Sequence, residues 1–435
     1  MKKVKLMALL GFLPLVCIFF SCNKETVGHQ DSNQDAPKEV NNEEQVESNI
    51  PDSGVLVFDI SHSTRGYLNS SSSIFRGVVA QMGRQLNVND YYLYGETERR
   101  ISKEAFIDTL NTGKFRWAQE SNLISMVGFM VKRVKSSNNI ACLISDGIIS
   151  GTNEQILNNA EYNIQNREVL QSLLEGVLDN LDTTYSALVT RYLAPFKGTY
   201  YCYNNKHVQI NSTQRPYFAI IIGKCDKVKE LEKNLTHGKA DGKEDSFYKY
   251  TDLVMFGDNN TFKNIKFTPN APNAGCEKIS GSSYRVTNKE SVSFRCEIKD
   301  LPSYMQTEEY FAQNFYIEKK RSEQIEKKFS EQTDYTVIPR DKYNLTIDND
   351  RHRVLVTFSE NPSVYISNNI LHFKLKYMTP GWIAKYSDKD DLHIDTQIFK
   401  QQNQTFNLQY LLNSFKVLNF DQEYAINTSM EFKNQ

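Results

Sequence analysis

The stretch that decides the fold runs Val55-Leu-Val-Phe-Asp59-Ile-Ser61-His-Ser63. It is a short apolar run that ends abruptly in an acid and two hydroxyls spaced by two residues. Buried parallel strands have this kind of apolar run, and ligands of open α/β sheets bind just beyond the carboxyl ends of the strands. Asp59, Ser61 and Ser63 would offer hard oxygen ligands there. Such ligands suit Mg²⁺ and, less specifically, Mn²⁺ or Ca²⁺.

A second run has the same form. Ile140-Ala-Cys-Leu-Ile-Ser-Asp146-Gly147 is an apolar strand pattern that ends in Asp and is followed by Gly. Between the two runs, Ser121 comes just before a segment whose apolar residues have helical spacing. These apolar residues are Leu123, Met126, Val127, Met130 and Val131.

With these motifs the chain resembles the von Willebrand factor A (vWA) family over roughly residues 53–225. That family carries a D-x-S-x-S motif, then a lone Thr or Ser before a helix, then Asp-Gly after a strand. Together they form a metal-ion-dependent adhesion site. The matching positions are Asp59, Ser61, Ser63, Ser121 and Asp146. The chain departs from the family pattern in having Ser121 where Thr is commoner, and Glu120 where Gly often precedes it.

The resemblance implies binding rather than bond-making. Two carboxylates would balance a divalent cation, hydroxyls and water would fill other positions, and Mg²⁺ takes about six oxygens. An open coordination position can then accept a carboxylate from a protein partner, as in adhesion or assembly. The alternative is that Ser61 and Ser63 only cap the following helix, as Ser commonly does, and that no metal binds.

The N-terminus predicts export. Lys2, Lys3 and Lys5 form a positive region before the apolar segment 6–20, which is too short to span a membrane comfortably. The sequence Phe19-Phe-Ser-Cys22 resembles the signal of Bacteroidetes-like bacterial lipoproteins. We therefore expect a signal peptide over residues 1–21 and a Cys22 that carries acyl chains such as palmitate. Ordinary cleavage with a free Cys22 is the alternative.

The resemblance to a lipoprotein signal implies that the protein lies in the cell envelope, lipid-anchored at the outer membrane. It does not decide between the periplasmic and the surface face. Residues 22–52 contain no Phe, Tyr or Trp and are rich in Asn, Gln, Ser and Glu. Such a segment cannot bury enough apolar surface to order itself. It is predicted to be a disordered tether.

Two domains are predicted after the tether. Residues 53–240 alternate strand and helix patterns, which favours an α/β fold, doubly wound and vWA/Rossmann-like. Residues 250–435 are β-rich, and several short strands separated by turn residues suggest a sandwich-like domain. Thr405–Asn419 has helical spacing and is predicted to form a C-terminal helix with Thr405 as a candidate N-cap.

Five cysteines remain after Cys17 and Cys22 are set aside. An odd number leaves at least one free thiol, for which Cys142 inside its strand is the first candidate. Cys276–Cys296 and Cys202–Cys225 are possible bridges. No C-x-x-C pair is present, which argues against a zinc ribbon or a thioredoxin-type site.

Charge and motifs exclude several functions. The formal net charge is −1 and no dense Lys/Arg patch is present, so nucleic-acid binding is not expected. The sequence contains no G-x-S-x-G, H-E-x-x-H, P-loop or G-x-G-x-x-G motif, and an enzyme is therefore not predicted. Two alternatives stay open: a metal-free structural envelope protein that binds through its β-domain, and a metal-dependent hydrolase.

Overall fold

The computed structural model describes most of the chain from residue 53 onward. The described residues are 53–69, 73–119, 121–137, 140–148, 162–202, 206–236, 248–257, 262–272, 274–321, 335–390, 394, 403–419 and 422–433. The predicted signal peptide, the lipidation site Cys22 and the predicted tether lie outside them. Among the described residues, no helix combines the length and the apolar character that crossing a membrane requires.

Seven strands form the first sheet. They are β1 (Gly54–Asp59), β2 (Val88–Tyr94), β3 (Glu98–Ile101), β4 (Ala141–Ser145), β5 (Tyr185–Tyr201), β6 (His207–Lys224) and β7 (Asp252–Phe256). Their order is β3-β2-β1-β4-β6-β5-β7. β1 is parallel to β2 and β4, and the other pairs are antiparallel. The strand that ends in Asp59 therefore has a parallel neighbour on each side.

Helices cover both faces of this sheet. They are α1 (Arg65–Leu68), α2 (Ile74–Gln85), α3 (Lys103–Thr112), α4 (Leu123–Ser137), α5 (Tyr162–Leu178) and α6 (Cys225–Thr236). Leu56 and Phe58 of β1 share a core with residues of α2, α3 and α6, whereas Val55 and Val57 share one with α4 and α5. Both faces of β1 are buried, which is why its sequence is apolar without alternation.

The second half of the sheet differs from a parallel doubly wound sheet. The sequence predicts separate strands Tyr185–Leu193, Gly198–Tyr203 and Tyr217–Gly223. β5 and β6 instead form one antiparallel hairpin of 17 and 18 residues. Its outer part is stable as β-structure because it has its own apolar partner: Phe196 packs edge-on against Tyr67 of α1, with ring centroids 5.0 Å apart.

The sequence predicts helices at Gly66–Leu86, at Ser102–Thr109 with Ser102 as the candidate cap, from Leu123 to Lys132, at Glu154–Asp182 and at Lys227–Asn234. Helices lie in all five segments where the structure describes them, and the first segment differs from its prediction. The segment predicted as a single helix, Gly66–Leu86, contains α1 and α2 as separate helices. Gly66 lies in α1 where a Cβ would come within 2.2 Å of the Phe196 ring, so the hairpin approaches α1 closely. Ser102 caps α3 as predicted, its hydroxyl accepting from Ala105 N at 3.2 Å.

The chain after residue 262 forms two larger sheets and a small pair. The strands are β8 (Thr268–Pro269), β9 (Cys276–Ser280), β10 (Ser283–Val286), β11 (Val292–Glu297), β12 (Phe315–Arg321), β13 (Thr336–Val337), β14 (Asn344–Asp348), β15 (Arg353–Phe358), β16 (Asn369–Lys376), β17 (Ser387–Asp388), β18 (Thr405–Phe406) and β19 (Tyr424–Phe432). The helices are α7 (Glu308–Asn314), α8 (Pro362–Ile366), α9 (Trp382–Lys385) and α10 (Leu408–Ser414), with 3₁₀ turns at Ser303–Met305, Arg340–Lys342 and Phe415–Asn419.

The two larger sheets share one core. Their orders are β13-β12-β16-β19-β10-β9 and β14-β15-β11-β8. Phe294 of the four-stranded sheet contacts Phe373 and Phe432 of the six-stranded sheet, with centroid distances of 4.9 and 5.9 Å. The alternation of buried and half-buried residues along β15 is typical of a strand with one face in such a core.

The predicted C-terminal helix is shorter than expected and does not end the chain. α10 is followed by the 3₁₀ turn Phe415–Asn419 and then by β19. Thr405 is not its N-cap: it belongs to β18, and Asn407 occupies the cap position. The apolar residues of α10 face the first sheet rather than the β-rich core, because Leu408, Leu411 and Leu412 pack in the cluster that contains α4 and α5.

Neither possible disulfide forms. All five cysteines of the described residues are free thiols, including buried Cys142 as predicted. Cys202 and Cys225 flank opposite ends of the 18-residue strand β6, which spans ~60 Å at ~3.3 Å per residue. That is far beyond the Cα separation of about 7 Å that a disulfide tolerates. Cys276 and Cys296 lie on strands of different sheets.

Candidate metal centre

Asp59 is the centre of a buried hydrogen-bond network. It is the last residue of β1 and its side chain is fully buried. Its Oδ1 accepts from Ser61 N at 2.8 Å. Its Oδ2 accepts from Ser121 Oγ at 2.9 Å and from Ser145 Oγ at 2.8 Å. Three segments that are distant in sequence therefore meet at one carboxylate.

The two motif serines lie in the turn between β1 and α1. Their hydroxyl oxygens, Ser61 Oγ and Ser63 Oγ, are 2.9 Å apart. Thr64 Oγ1 lies 2.9 Å from the carbonyl oxygens of both Asp59 and Ser61, to which its single hydroxyl proton can be donated. Thr64 is the N-cap residue of α1, and no side-chain cap bond is made there. Ser61 and Ser63 therefore do not cap α1.

Ser121 is held beside this turn by backbone pairing. Ala118 N donates to Ile60 O at 2.8 Å, and His62 N donates to Ala118 O at 2.9 Å. The loop before α4 is thereby fixed against the motif, and Ser121 reaches Asp59. Asn122 follows and its Oδ1 accepts from Ser125 N at 3.0 Å, so Asn122 rather than Ser121 satisfies the first turn of α4.

Asp146 follows β4, the parallel neighbour of β1. Its carboxylate is buried and Oδ1 accepts from Ile148 N at 3.2 Å, and the nearby Ser63 hydroxyl lowers the pKa of Asp146. Gly147 has φ +73°, and a Cβ there would come within 2.8 Å of the Phe218 ring. Only glycine fits this turn without strain. The Asp-Gly pair is thus required by the backbone as well as by the carboxylate.

The two carboxylates perturb each other. Burial raises the pKa of Asp59, although hydrogen bonds from Ser61, Ser145 and Ser121 oppose the effect. Burial, and then the charge of Asp59, raises the pKa of Asp146 to about 7. Neither carboxylate forms an ion pair with a basic side chain of the described residues. The charge of Arg215 lowers the pKa of Asp146 but does not offset the rise, so the pair favours uptake of a proton or a cation.

The donor set fits a hard divalent cation. All five predicted residues are brought together, and they supply two carboxylates and three hydroxyls with no sulfur or imidazole. Among the described residues, no group of three or more His, Cys, Asp and Glu side chains forms a metal site. A cation here would accordingly depend on hydroxyl ligands, which suits Mg²⁺ or Mn²⁺ and argues against Zn²⁺.

Sequence reasoning missed Ser145 and Thr64. Ser145 Oγ donates to Asp59 and accepts from Gly147 N at 3.1 Å, so it joins the two acidic turns. The two apolar runs indicate Ser145 once their parallel register is known. Phe58 pairs with Ile144 in the parallel register, and the next pair along is Asp59 with Ser145, whose side chains point to the same face.

His62 lies on the outer side of the motif. Its imidazole is 6.0 Å from the Tyr201 ring, and Tyr201 contacts His207 at 4.7 Å. The far part of the β5–β6 hairpin thus stands beside the motif turn. Partial burial and the nearby Arg65 charge lower the pKa of His62.

Comparison with known proteins gives no family assignment, because no protein-family model and no curated protein matches the chain.

Proposed function

We propose that this protein is a binding or assembly protein of the cell envelope, which holds a divalent cation at Asp59, Ser61, Ser63, Ser121 and Asp146. The cation would complete its coordination with a carboxylate offered by a protein partner. The observation that carries the proposal is the burial of two mutually repelling acids among hydroxyls, without a basic side chain in contact.

The surroundings of the site support a vWA-like interpretation of the first sheet and its helices. The strand with D-x-S-x-S and the strand with Ser-Asp-Gly are adjacent and parallel. Ser121 approaches from the start of a helix, as the resemblance implies. The antiparallel arrangement of β4, β6, β5 and β7 is a departure from a parallel doubly wound sheet. It lies on the side of β4 away from β1.

Lipid anchoring belongs to the same proposal. Acylation at Cys22 would hold the protein at the outer membrane, on its periplasmic or its surface face, and residues 23–52 would give the binding domain reach. The support is the basic, apolar and Ser-Cys succession of residues 2–22, which resembles a lipoprotein signal.

The direct test is calorimetric titration of Mg²⁺ and Mn²⁺ into the chain from residue 22, with Cys22→Ser to prevent acylation. Wild type should bind one ion, and Asp59→Ala should abolish the heat because the central ligand is lost. Asp108→Ala, at an exposed position of α3, is the matched control and should bind as wild type does. Equal heats in wild type and Asp59→Ala would contradict the ion site.

One observation favours a metal-free scaffold as the second candidate. The oxygens of Asp59 already accept three hydrogen bonds, so the network has internal partners even without an ion. In that case the titration gives no heat in any variant, and Asp59→Ala acts on stability alone. Hydrolase activity, the third possibility, would require turnover of ester or phosphoester substrates that depends on Mg²⁺ and on Asp59.

A further inference from the structure

A basic pocket lies in the β-rich region, far along the chain from the candidate metal centre. Its cavity volume is about 720 Å³, and it is bounded by the ends of β10 and β19 and by α8. Three cations line it: Arg285, Lys289 and Lys433. None of the described lining residues is acidic. This combination selects an anionic ligand.

The cations are only partly neutralised by the protein. Arg285 pairs with Glu277, and Lys433 Nζ lies 3.1 Å from a carboxylate oxygen of Glu431. Lys289 forms no ion pair or hydrogen bond with its side chain within the described residues. Arg285 Nε is buried and has no hydrogen-bond partner. The free ammonium of Lys289 therefore lines the same cavity as the partly neutralised Arg285 and Lys433.

The α8 side of the pocket supplies neutral polar groups. Ser363 and Ser367 line it, and their hydroxyls are unpaired within the described residues. Val364 lies between them in sequence and is 66% exposed. A hydroxyl can both donate and accept, so this wall suits a polyhydroxylated ligand with one less polar face.

We propose that the basic pocket binds a saccharide that carries a phosphate, sulfate or carboxylate group. The cations would hold the anionic group, Ser363 and Ser367 would bind ring hydroxyls, and Val364 would cover the less polar face of the ring. The volume lies within the range of about 300–1,000 Å³ that small-ligand sites occupy.

The test is titration of the unlipidated chain with glucose 6-phosphate, glucuronate, glucose, inorganic phosphate and a tetra-aspartate peptide. The two anionic sugars should bind, and glucose, phosphate and the peptide should bind at least about tenfold more weakly. Lys289→Glu should weaken sugar binding about tenfold or more, because it places a carboxylate opposite the anion. Ser363→Ala should weaken the sugars but not inorganic phosphate.

The matched control is Lys299→Glu, the same charge reversal at an exposed position outside the pocket. It should change the affinity less than about twofold. Vesicles of phosphatidylcholine with and without a phosphorylated glycolipid separate the two sources of the ligand. Binding to the glycolipid vesicles that Lys289→Glu removes would support a lipid headgroup, and soluble binding alone a free sugar.

Three results would overturn the proposal. If Lys289→Glu and Lys299→Glu lose sugar affinity equally, the loss is due to overall charge and not to the pocket. Equal affinity for inorganic phosphate or for the peptide would remove the saccharide specificity. Absence of binding of every probe to the folded wild-type chain would remove the site, and weakened binding in Lys289→Glu counts only if its urea midpoint matches the wild type.

Discussion

At the scale of the residue, the central feature is a pair of buried acids. Asp59 receives three hydrogen bonds, which stabilise its charged form, whereas Asp146 receives fewer and faces the charge of Asp59. Burying an unpaired charge is costly, so such a group takes up a proton or a cation. The candidate site can therefore take up either a proton or a cation.

This balance predicts a pH-dependent stability for the metal-free protein. The pKa of Asp146 rises from 3.8 to about 7 on folding, so the folded state holds this proton more tightly than the unfolded chain does. The stabilising contribution of Asp146 to the free energy of unfolding should be fully present below about pH 4, fall by about 1–4 kcal/mol as the pH rises to about 7, and level off above it. Urea unfolding in EDTA at successive pH values measures this dependence.

Asp146→Asn should flatten most of that pH dependence, because it removes the titrating group while keeping the shape of the side chain. Asp108→Asn, exposed on α3, should leave the dependence unchanged. If the slope is the same in Asp146→Asn as in wild type, the dependence has another origin. Ion binding must displace the proton, so Mg²⁺ affinity should decrease as the pH falls below about 7.

At the scale of the element, the β5–β6 hairpin is the main departure from expectation. Its strands continue past the sheet, and Phe196, Tyr67 and Phe75 form an aromatic cluster over α1, with Tyr67 and Phe75 stacked at 5.0 Å. α1 directly follows the motif serines. The hairpin therefore supports the turn from which Ser61 and Ser63 are presented.

Phe196→Ala tests this support. Removal of a fully buried ring should cost about 3–5 kcal/mol, measured by urea unfolding. Because α1, which follows the motif turn, loses its packing against Phe196, ion affinity should also fall in the fraction of protein that remains folded. Lys197→Ala, an exposed neighbour on the same strand, should change stability by less than about 0.5 kcal/mol. A Phe196→Ala protein with unaltered ion affinity would separate the hairpin from the site.

At the scale of the whole molecule, residues 51–435 form one compact unit. One element that joins its two parts is α10. This helix comes from the β-rich part of the chain, yet it packs on the first sheet beside α5. A Cβ at Gly147 would come within 3.7 Å of Leu411, so the helix also reaches the Asp146 turn. α10, which covers part of the first sheet, lies more than 250 positions after β4 in the sequence.

Leu412→Ala should therefore weaken both parts of the unit together. The lost side chain is fully buried, and the expected cost is about 2–5 kcal/mol. Hydrogen exchange followed by mass spectrometry should accelerate in β4 and in β19 alike. Leu173→Ala, the same substitution at a half-exposed position of α5, is the control. Faster exchange confined to β4 would mean that the two parts open independently.

The sequence by itself determined the local features of this protein. Apolar runs that end in an acid marked β1 and β4, Ser102 marked the start of α3, and the alternation after residue 262 marked β-structure. These patterns depend on neighbouring residues and on whether one or both faces of a strand are buried. The five candidate ligands could be named because these elements and their flanking residues match the motif order of the family that the chain resembles.

Only the tertiary structure decided how these elements meet. The long hairpin depends on the contact between Phe196 and Tyr67. The packing of α10 on the first sheet depends on its apolar face, which the β-rich core does not cover. Ser145 reaches the site because of the register between β1 and β4. The proposed disulfides failed for the same reason, since the sequence did not show that one continuous strand separates Cys202 from Cys225 or that Cys276 and Cys296 lie in different sheets. Contacts between residues far apart in the chain carry no periodic signal, and a one-residue change of register would move Ser145 to the other face of the sheet.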